Sequence, residues 1–400
     1  MSEKPARTSA SPAQLIALII IISALAPIGL NIPLPALPSI ARTFGVDYGV
    51  AQYIVTVYLI SVAIGQLIYG PLADRFGRKP VMVAGLVIYC AGSLAAFFAP
   101  DAMVLIFARG VQALGGCAGI VVGRAMVRDM FEHTKAASVL SYITVAIVIT
   151  PMMSPALGGL IEEAYGWRFV FLATALYGLP ILIWGALIRT ETRRHTERTA
   201  MLHGMSVLVG LKSFLISCAV LGCSGAVFYT YVAGAPLLCI EGMGISPAAF
   251  GIWQTSMAGS YSIGSFISGR YVSRLGSERT MFVGSTIAVI STAGAAVALH
   301  FFPTEPLALF GPSSIMSAAL ALSINNATAL ALSARPQFAG AAAGLAGFTQ
   351  MGLGGFAVLI IGRGFTPDGS IMLLSMIGFA ICGLLVQFLY RRHPVSYLDR

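Results

Sequence analysis

The sequence predicts an all-α membrane protein of twelve transmembrane helices in two parallel six-helix bundles. Three observations carry that reading. The 400 residues are 57% hydrophobic and only 10% charged, with mean hydropathy +0.87, where a soluble domain carries about 25% charged residues. Apolar runs long enough to cross about 30 Å of hydrocarbon as helices recur along the whole length. And one Gly-rich segment occurs twice, G-Q-L-I-Y-G-P-L-A-D-R-F-G at 65–77 and G-S-F-I-S-G-R-Y-V-S-R-L-G at 264–276, at a constant offset of 199.

Taken in order, a polar N-terminus leads into a first span with no small-residue cleavage site, which reads as a retained helix and not a cleaved signal. The spans are expected at 14–34, 50–72, 80–99, 101–123, 137–160, 167–188, 207–233, 247–269, 280–301, 306–330, 337–361 and 370–390. Alternating strands of an outer-membrane barrel are excluded by the continuous apolar character of these runs. Connections are short except the polar linker 189–206, which divides the chain into an N-terminal bundle, 1–200, and a C-terminal bundle, 201–400. Gly65, Gly70, Arg75 and Gly77 match Gly264, Gly269, Arg274 and Gly276, and both segments end the second helix of their half. That is a parallel repeat.

Charge placement sets the orientation. With both termini and the 73–80 turn cytoplasmic, twenty Lys and Arg fall on that side; Arg42, Arg168 and Arg363 fall opposite, and Arg109 lies within a span. The basic residues lie in connections and tails, so the net charge of +9 implies topology and no nucleic-acid footprint. The six Cys lack metal-ligand spacing and read as apolar packers. No phosphate loop, nucleophile motif or metal cluster occurs, so neither an enzyme nor a cofactor is expected.

The turn at 73–80 concentrates Asp74, Arg75, Arg78 and Lys79 between two apolar runs, where charges cannot enter the bilayer without costing about 2.5–3.5 kcal/mol each. Asp74 is expected to pair with Arg124 or Arg128, with Asp129 beside them, while Lys79 and Arg78 serve topology. Inside the fourth span, Arg109 stands in A-R-G-V-Q-A-L-G-G with Gln112 three residues on, on the same helical face. A guanidinium at that depth requires a polar cavity or a partner. In the fifth span, Pro151, Pro155, Gly158 and Gly159 free carbonyls and permit close backbone approach. Tyr58, Tyr229, Gln254, Asn325 and Gln350 are further cavity candidates, with Gln52, Tyr142, Trp253 and Asn326 as weaker ones.

The run G-P-L-A-D-R-F-G-R-K from Gly70 to Lys79 resembles the signature turn of the major facilitator superfamily. L-P-A-L-P-S-I-A-R-T-F-G from Leu34, A-M-V-R-D-M-F around Arg128 and Asp129, P-M-M-S-P-A-L-G-G from Pro151 and Y-G-W-R-F-V-F from Tyr165 resemble its twelve-helix drug:proton antiporter branch, nearest to bacterial bicyclomycin and chloramphenicol exporters. The resemblance implies a gating role for Gly70, Asp74, Arg75, Gly77, Arg78, Arg128, Asp129 and Arg274. It implies that Arg109 serves coupling or substrate binding and that the 151–159 helix is of the antiporter type. It also implies a multidrug exporter in a bacterial inner membrane, working as a monomer among lipids on a small-molecule substrate, in exchange for protons. One departure stands out. The first-helix acid usual in those exporters is Asn31 here, and none of the fifteen acids lies well inside a span. A uniporter or importer of a small organic anion, with Arg109 as counter-charge, is therefore the alternative expectation.

Overall fold

The computed structural model describes residues 11–131, 133–188, 190–192, 200–362 and 368–392. Lys4, Arg7, Arg189, Arg193, Arg194, Arg198, Arg363 and Arg400 of the charge-topology argument, and the centre of the linker, lie outside them. The described residues form no strand.

The first long element, α1, is broken where a single span was expected. It runs as Pro12–Ser23, Leu25–Asn31, a 3-10 turn Leu34–Ala36 and Leu37–Phe44. Pro27, Pro33, Pro35 and Pro38 each remove a backbone donor from the helical ladder, and the chain responds by segmenting. There follow α2 (Tyr53–Phe76), α3 (Arg78–Phe97), α4 (Ala102–Met130), α5 (His133–Tyr165) and α6 (Trp167–Leu187). A linker helix, Ala200–Val209, precedes α7 (Lys212–Leu237), α8 (Pro247–Leu275), α9 (Ser277–Phe301), α10 (Pro306–Ser333), α11 (Ala339–Gly362) and α12 (Ser370–Arg392). The end of α4 overruns the expected boundary at 123. Buried Ala125, Met126 and Val127 continue its apolar face, so Arg124, Arg128 and Asp129 sit on helix and not in a loop.

Among the described residues ten helical segments are long and apolar enough to cross a membrane by length and composition. The helix α8 is not among them despite its 29 residues. Gln254, Thr255 and serines at 256, 260, 262, 265 and 268 dilute its hydropathy. Several of these turn their hydroxyls to partners, such as Ser256 to Ser314 and Ser268 to Asn326, which is how a polar helix is made tolerable in lipid.

The repeat shows in the packing. α1, α2 and α3 lie against α4, as α7, α8 and α9 lie against α10. The halves meet through two seams, α2 on α11 and α5 on α8. The repeat also fixes backbone shape. All six described residues with left-handed φ are glycines, and they fall into three pairs. Gly45 and Gly244 (φ 62° and 72°) and Gly77 and Gly276 (φ 101° and 79°) are each 199 residues apart; Gly166 and Gly369 (φ 88° and 70°) are 203 apart. Gly77 and Gly276 each cap the following helix with ψ near 154°, a conformation costly to any residue with a Cβ.

Candidate functional site

Among the described residues Arg109 is the one charged side chain in the set of largest fully buried ones, at 0% exposure. It stays inside the N-terminal bundle. Its Nη1 donates to the Gly29 carbonyl at 2.8 Å and to Gln112 Oε1. The guanidinium carbon lies 4.1 Å from the Tyr58 ring centroid and 5.7 Å from that of Phe171, so ring faces supply the negative potential that a carboxylate supplies elsewhere. Gln112 is itself oriented: its Nε2 donates to Ser93 at 2.7 Å and Thr174 at 3.0 Å. Arg109 Nε and Nη2 and the Tyr89 hydroxyl have no hydrogen-bond partner among the described residues. A buried cation with two idle donors is a costly arrangement. The sequence singled out Arg109, Gln112 and Tyr58, and the structure brings them together. It adds Ser93, Thr174, Phe171 and Tyr89, which carried no signal because Ser, Thr and aromatics are common in any span.

Asn31 ends the second segment of α1, buried, with its Nδ2 on the Pro27 carbonyl at 2.8 Å. The first two segments of α1 offer carbonyls outward. Tyr177 takes Ile21, Tyr58 takes Ala26 at 2.9 Å and Arg109 takes Gly29. The proline-broken helix thus becomes an acceptor strip for three neighbours.

The C-terminal candidates do not join this cluster. Tyr229 reaches Met351 Sδ, Gln254 accepts from Tyr231 at 3.2 Å, and Gln350 packs its backbone against Gly225. Asn325 is exposed and bonds Ser265, whereas its neighbour Asn326 is buried on Ser268 and the Leu322 carbonyl. Of the weaker candidates, Gln52 donates across the halves to the Ala233 carbonyl at 3.4 Å.

The charged turn is built around Arg78. It pairs with Asp74 at 2.6 Å and with Asp129 of α4 at 2.8 Å while its side chain is 8% exposed. Burial makes Arg78 the hub of the turn, and Asp74 finds its cation across Gly77, at the start of α3, instead of on α4. Glu191, just after α6, accepts from the backbone N–H groups of Arg78 (3.0 Å) and Lys79 (3.2 Å). A carboxylate on the first two amides of α3 sits at the positive end of that helix dipole. Arg128 lies instead beside Gly340 at the start of α11, and Arg75 stacks its guanidinium on Phe76 at 5.0 Å. Gly70 lies within α2 just ahead of the turn. Arg274, at the repeat-equivalent place in α8, is exposed and makes no ion pair among the described residues.

The end opposite these turns holds close backbone-to-backbone contacts between the halves. A Cβ on Gly49 would stand 1.8 Å from the Gly362 carbonyl oxygen, and one on Gly159 would stand 2.2 Å from that of Pro247. These are the same contact twice. Gly49 and Ala248 are repeat equivalents at offset 199, and Gly159 and Gly362 at offset 203. Gly158 turns to the α1 side, where its Cβ would meet the Ile32 carbonyl at 1.8 Å, and the Pro155 carbonyl packs on Gly251. Pro151 and Pro155 both lie within the continuous helix α5. Between the seams Arg42 at the end of α1 forms an ion pair with Glu241 at the end of α7. They too are 199 residues apart. Two equivalent positions can touch only at the axis that relates the halves, so this pair marks it. Beside it, Ser39 donates to Glu162 Oε1, and Glu162 Oε2 has no partner among the described residues.

The family model described as Major Facilitator Superfamily matches residues 19–359. The chain belongs to the major facilitator superfamily. It is a multi-pass membrane transporter, not an enzyme. The chain is 26% identical to a bicyclomycin resistance protein homolog of Haemophilus influenzae, over 92% of this chain and 94% of that one. It is 29% identical to multidrug resistance protein MdtL of Klebsiella pneumoniae, over 81% and 82%. Among solved structures, a bacterial homolog of the human lysosomal transporter Spinster, inward-facing and occupied, superposes with TM-score 0.76 at 14% identity, covering 98% of this chain and 99% of that one. A D-xylose-proton symporter does so with 0.75 at 13%, covering 96% and 98%. At those identities the likeness is one of fold alone.

Proposed function

We propose that this transporter exports a small amphipathic compound across a bacterial inner membrane by alternating access, in exchange for protons. The charged turns and both termini face the cytoplasm, as twenty basic residues against three require. Residues 1–200 rock against 201–400, opening and closing the paired glycine seams at the outer end. The observation that carries the reading is that pairing. Two repeat-equivalent contacts, with an ion pair on the axis between them, form an end that opens as one unit. The names of the drug-resistance relatives support export, and the ring-lined setting of Arg109 supports an amphipathic cargo. No second cation converges on Arg109 among the described residues, as an organic-anion site would require.

Proton exchange in this reading does not run through the first helix, since Asn31 does not titrate. Inverted vesicles loaded with the full-length protein test it with chloramphenicol and bicyclomycin as probes. Uptake is expected to rise when the vesicle interior is made acidic and to vanish without the gradient. Uptake indifferent to pH gradients of either sign overturns proton exchange. Transport of small organic anions with no transport of either drug overturns export of amphipathic compounds.

A further inference from the structure

The two repeat copies of the charged turn are not charged alike. In the N-terminal copy Asp74 answers Arg78, and a second acid, Asp129, completes the neutralisation. At offset 199 the position of Asp74 is Ser273, that of Arg78 is Ser277 and that of Pro71 is Arg270. The C-terminal copy has thus lost its acid and gained an arginine. A cavity of about 280 Å³ opens there, lined by Arg270, Tyr271, Ser273 and Arg274. Both arginines are exposed and neither makes an ion pair among the described residues. The nearest acid in sequence, Glu278, lies in the first turn of α9, answering that helix's dipole, and does not line the cavity.

The same helix carries apolar surface up to the cavity. Phe266 is 73% exposed and Ile263 60%, with Ile267, Tyr271 and Leu275 also exposed. Exposed Ile and Phe on a membrane helix face acyl chains, and a Tyr at the end of such a ladder sits at headgroup level. From apolar stem to paired cations, the surface is complementary to one amphiphile: a lipid with an anionic phosphate head. We propose that the end of α8 is a binding site for an anionic phospholipid, its phosphate held by Arg270 and Arg274 with Ser273 and the Tyr271 hydroxyl as further donors. Basic pockets of this kind at the cytoplasmic surface bind acidic headgroups at about 1 kcal/mol per cation. The site lies on the C-terminal half, away from Arg109, and does not depend on which compound is exported.

Native mass spectrometry of the full-length protein, titrated in detergent with phosphatidylglycerol or phosphatidylcholine, tests the proposal. R270Q/R274Q is expected to bind phosphatidylglycerol about thirtyfold more weakly than the unaltered protein, the factor for two cations. Phosphatidylcholine retention should not change. R270K/R274K, which keeps both charges, should bind about as well as the unaltered protein, within roughly threefold, and so should R279Q, whose cation lies outside the cavity. Undiminished phosphatidylglycerol binding by R270Q/R274Q overturns the site, as does an equal loss in R279Q. Equal loss in R270K/R274K assigns the effect to folding and overturns it also. Displacement of the lipid by inorganic phosphate at comparable concentration makes this a soluble-anion site and removes the lipid from the proposal.

Discussion

Arg109 is held without an acid. Two rings, one carbonyl and one amide surround a guanidinium that is wholly buried, and each group is itself pinned, Tyr58 on Ala26 and Gln112 on Ser93 and Thr174. Arg109→Ala therefore removes a hub and opens a cavity among residues with nothing to fill it. We expect transport to be lost and stability to fall by about 3 kcal/mol, in the range of large buried truncations, read as a lowered midpoint in detergent denaturation. Arg109→Lys keeps the charge but not the planar fork or the stacking, and should restore stability only in part. Asn31→Asp is a different experiment. Asn31 lies two residues beyond Gly29, whose carbonyl accepts from Arg109, and an aspartate there gives the first helix a group that titrates. Its expected effect is a steeper dependence of uptake on the pH gradient than the unaltered protein shows; identical dependence in the two would separate that position from coupling.

At the scale of elements, the end opposite the charged turns divides its work unequally. Arg42 and Glu241 are 61% and 38% exposed, and an ion pair so open to solvent is worth about 0.2–1 kcal/mol. It biases the closed arrangement by roughly fivefold at most and locks nothing. The seams are less forgiving, because backbone meets backbone. Gly159→Ala has to push α5 off α8 to make room for its Cβ, given the 2.2 Å approach to Pro247. Disulfide cross-linking of a R42C/E241C pair reports closure, and its rate should fall at least about fivefold when Gly159→Ala is added, the effect of a destabilisation of ~1 kcal/mol or more. Glu162, just beyond the 137–160 span, adds a pH term. Burial raises its pKa above the ordinary carboxylate value, against the lowering effects of the Ser39 hydrogen bond and Arg42. A raised carboxyl pKa in the closed form means that closing takes up a proton. Cross-linking should therefore strengthen as pH falls through that pKa and weaken above it, and Glu162→Gln should flatten the profile. The charged groups facing Glu162 are Arg42 of α1 and, through it, Glu241 of α7; Arg168 of α6 is turned to the Ala99 carbonyl and the Trp167 ring.

Across the whole molecule the two halves are related closely enough that equivalent residues meet on the axis. This makes a swap informative. R42E alone places two acids together and should weaken closure, while R42E/E241R restores the pair in reverse and should recover the cross-half contact and transport. Failure of the swap to recover transport would tie Arg42 to its own side of the axis, through Ser39 and Glu162. The asymmetry is equally telling. The N-terminal turn is neutralised from within by Asp74, Arg78, Asp129 and Glu191, and the C-terminal turn keeps bare arginines. One half is tied to itself and the other is left to bind its surroundings.

Membrane class and the family fold were legible in the sequence, and so was the presence of a buried cation at Arg109, since each depends on local properties: hydropathy over a span length, charge between spans, a lone cation in an apolar run. The repeat was legible only at 65–77 and 264–276, where identical residues survive. At Gly45 and Gly244, Gly166 and Gly369, or Arg42 and Glu241, the chemistry around the pair has diverged and the backbone alone keeps the relation. Partners were decided by tertiary structure. Asp74 takes Arg78 in place of a cation of α4, Glu191 caps a helix more than a hundred residues away, and aromatic rings face the Arg109 guanidinium. The reason is physical: hydropathy is summed along the chain, whereas the cost of a buried charge is settled by whichever groups packing brings within about 4 Å.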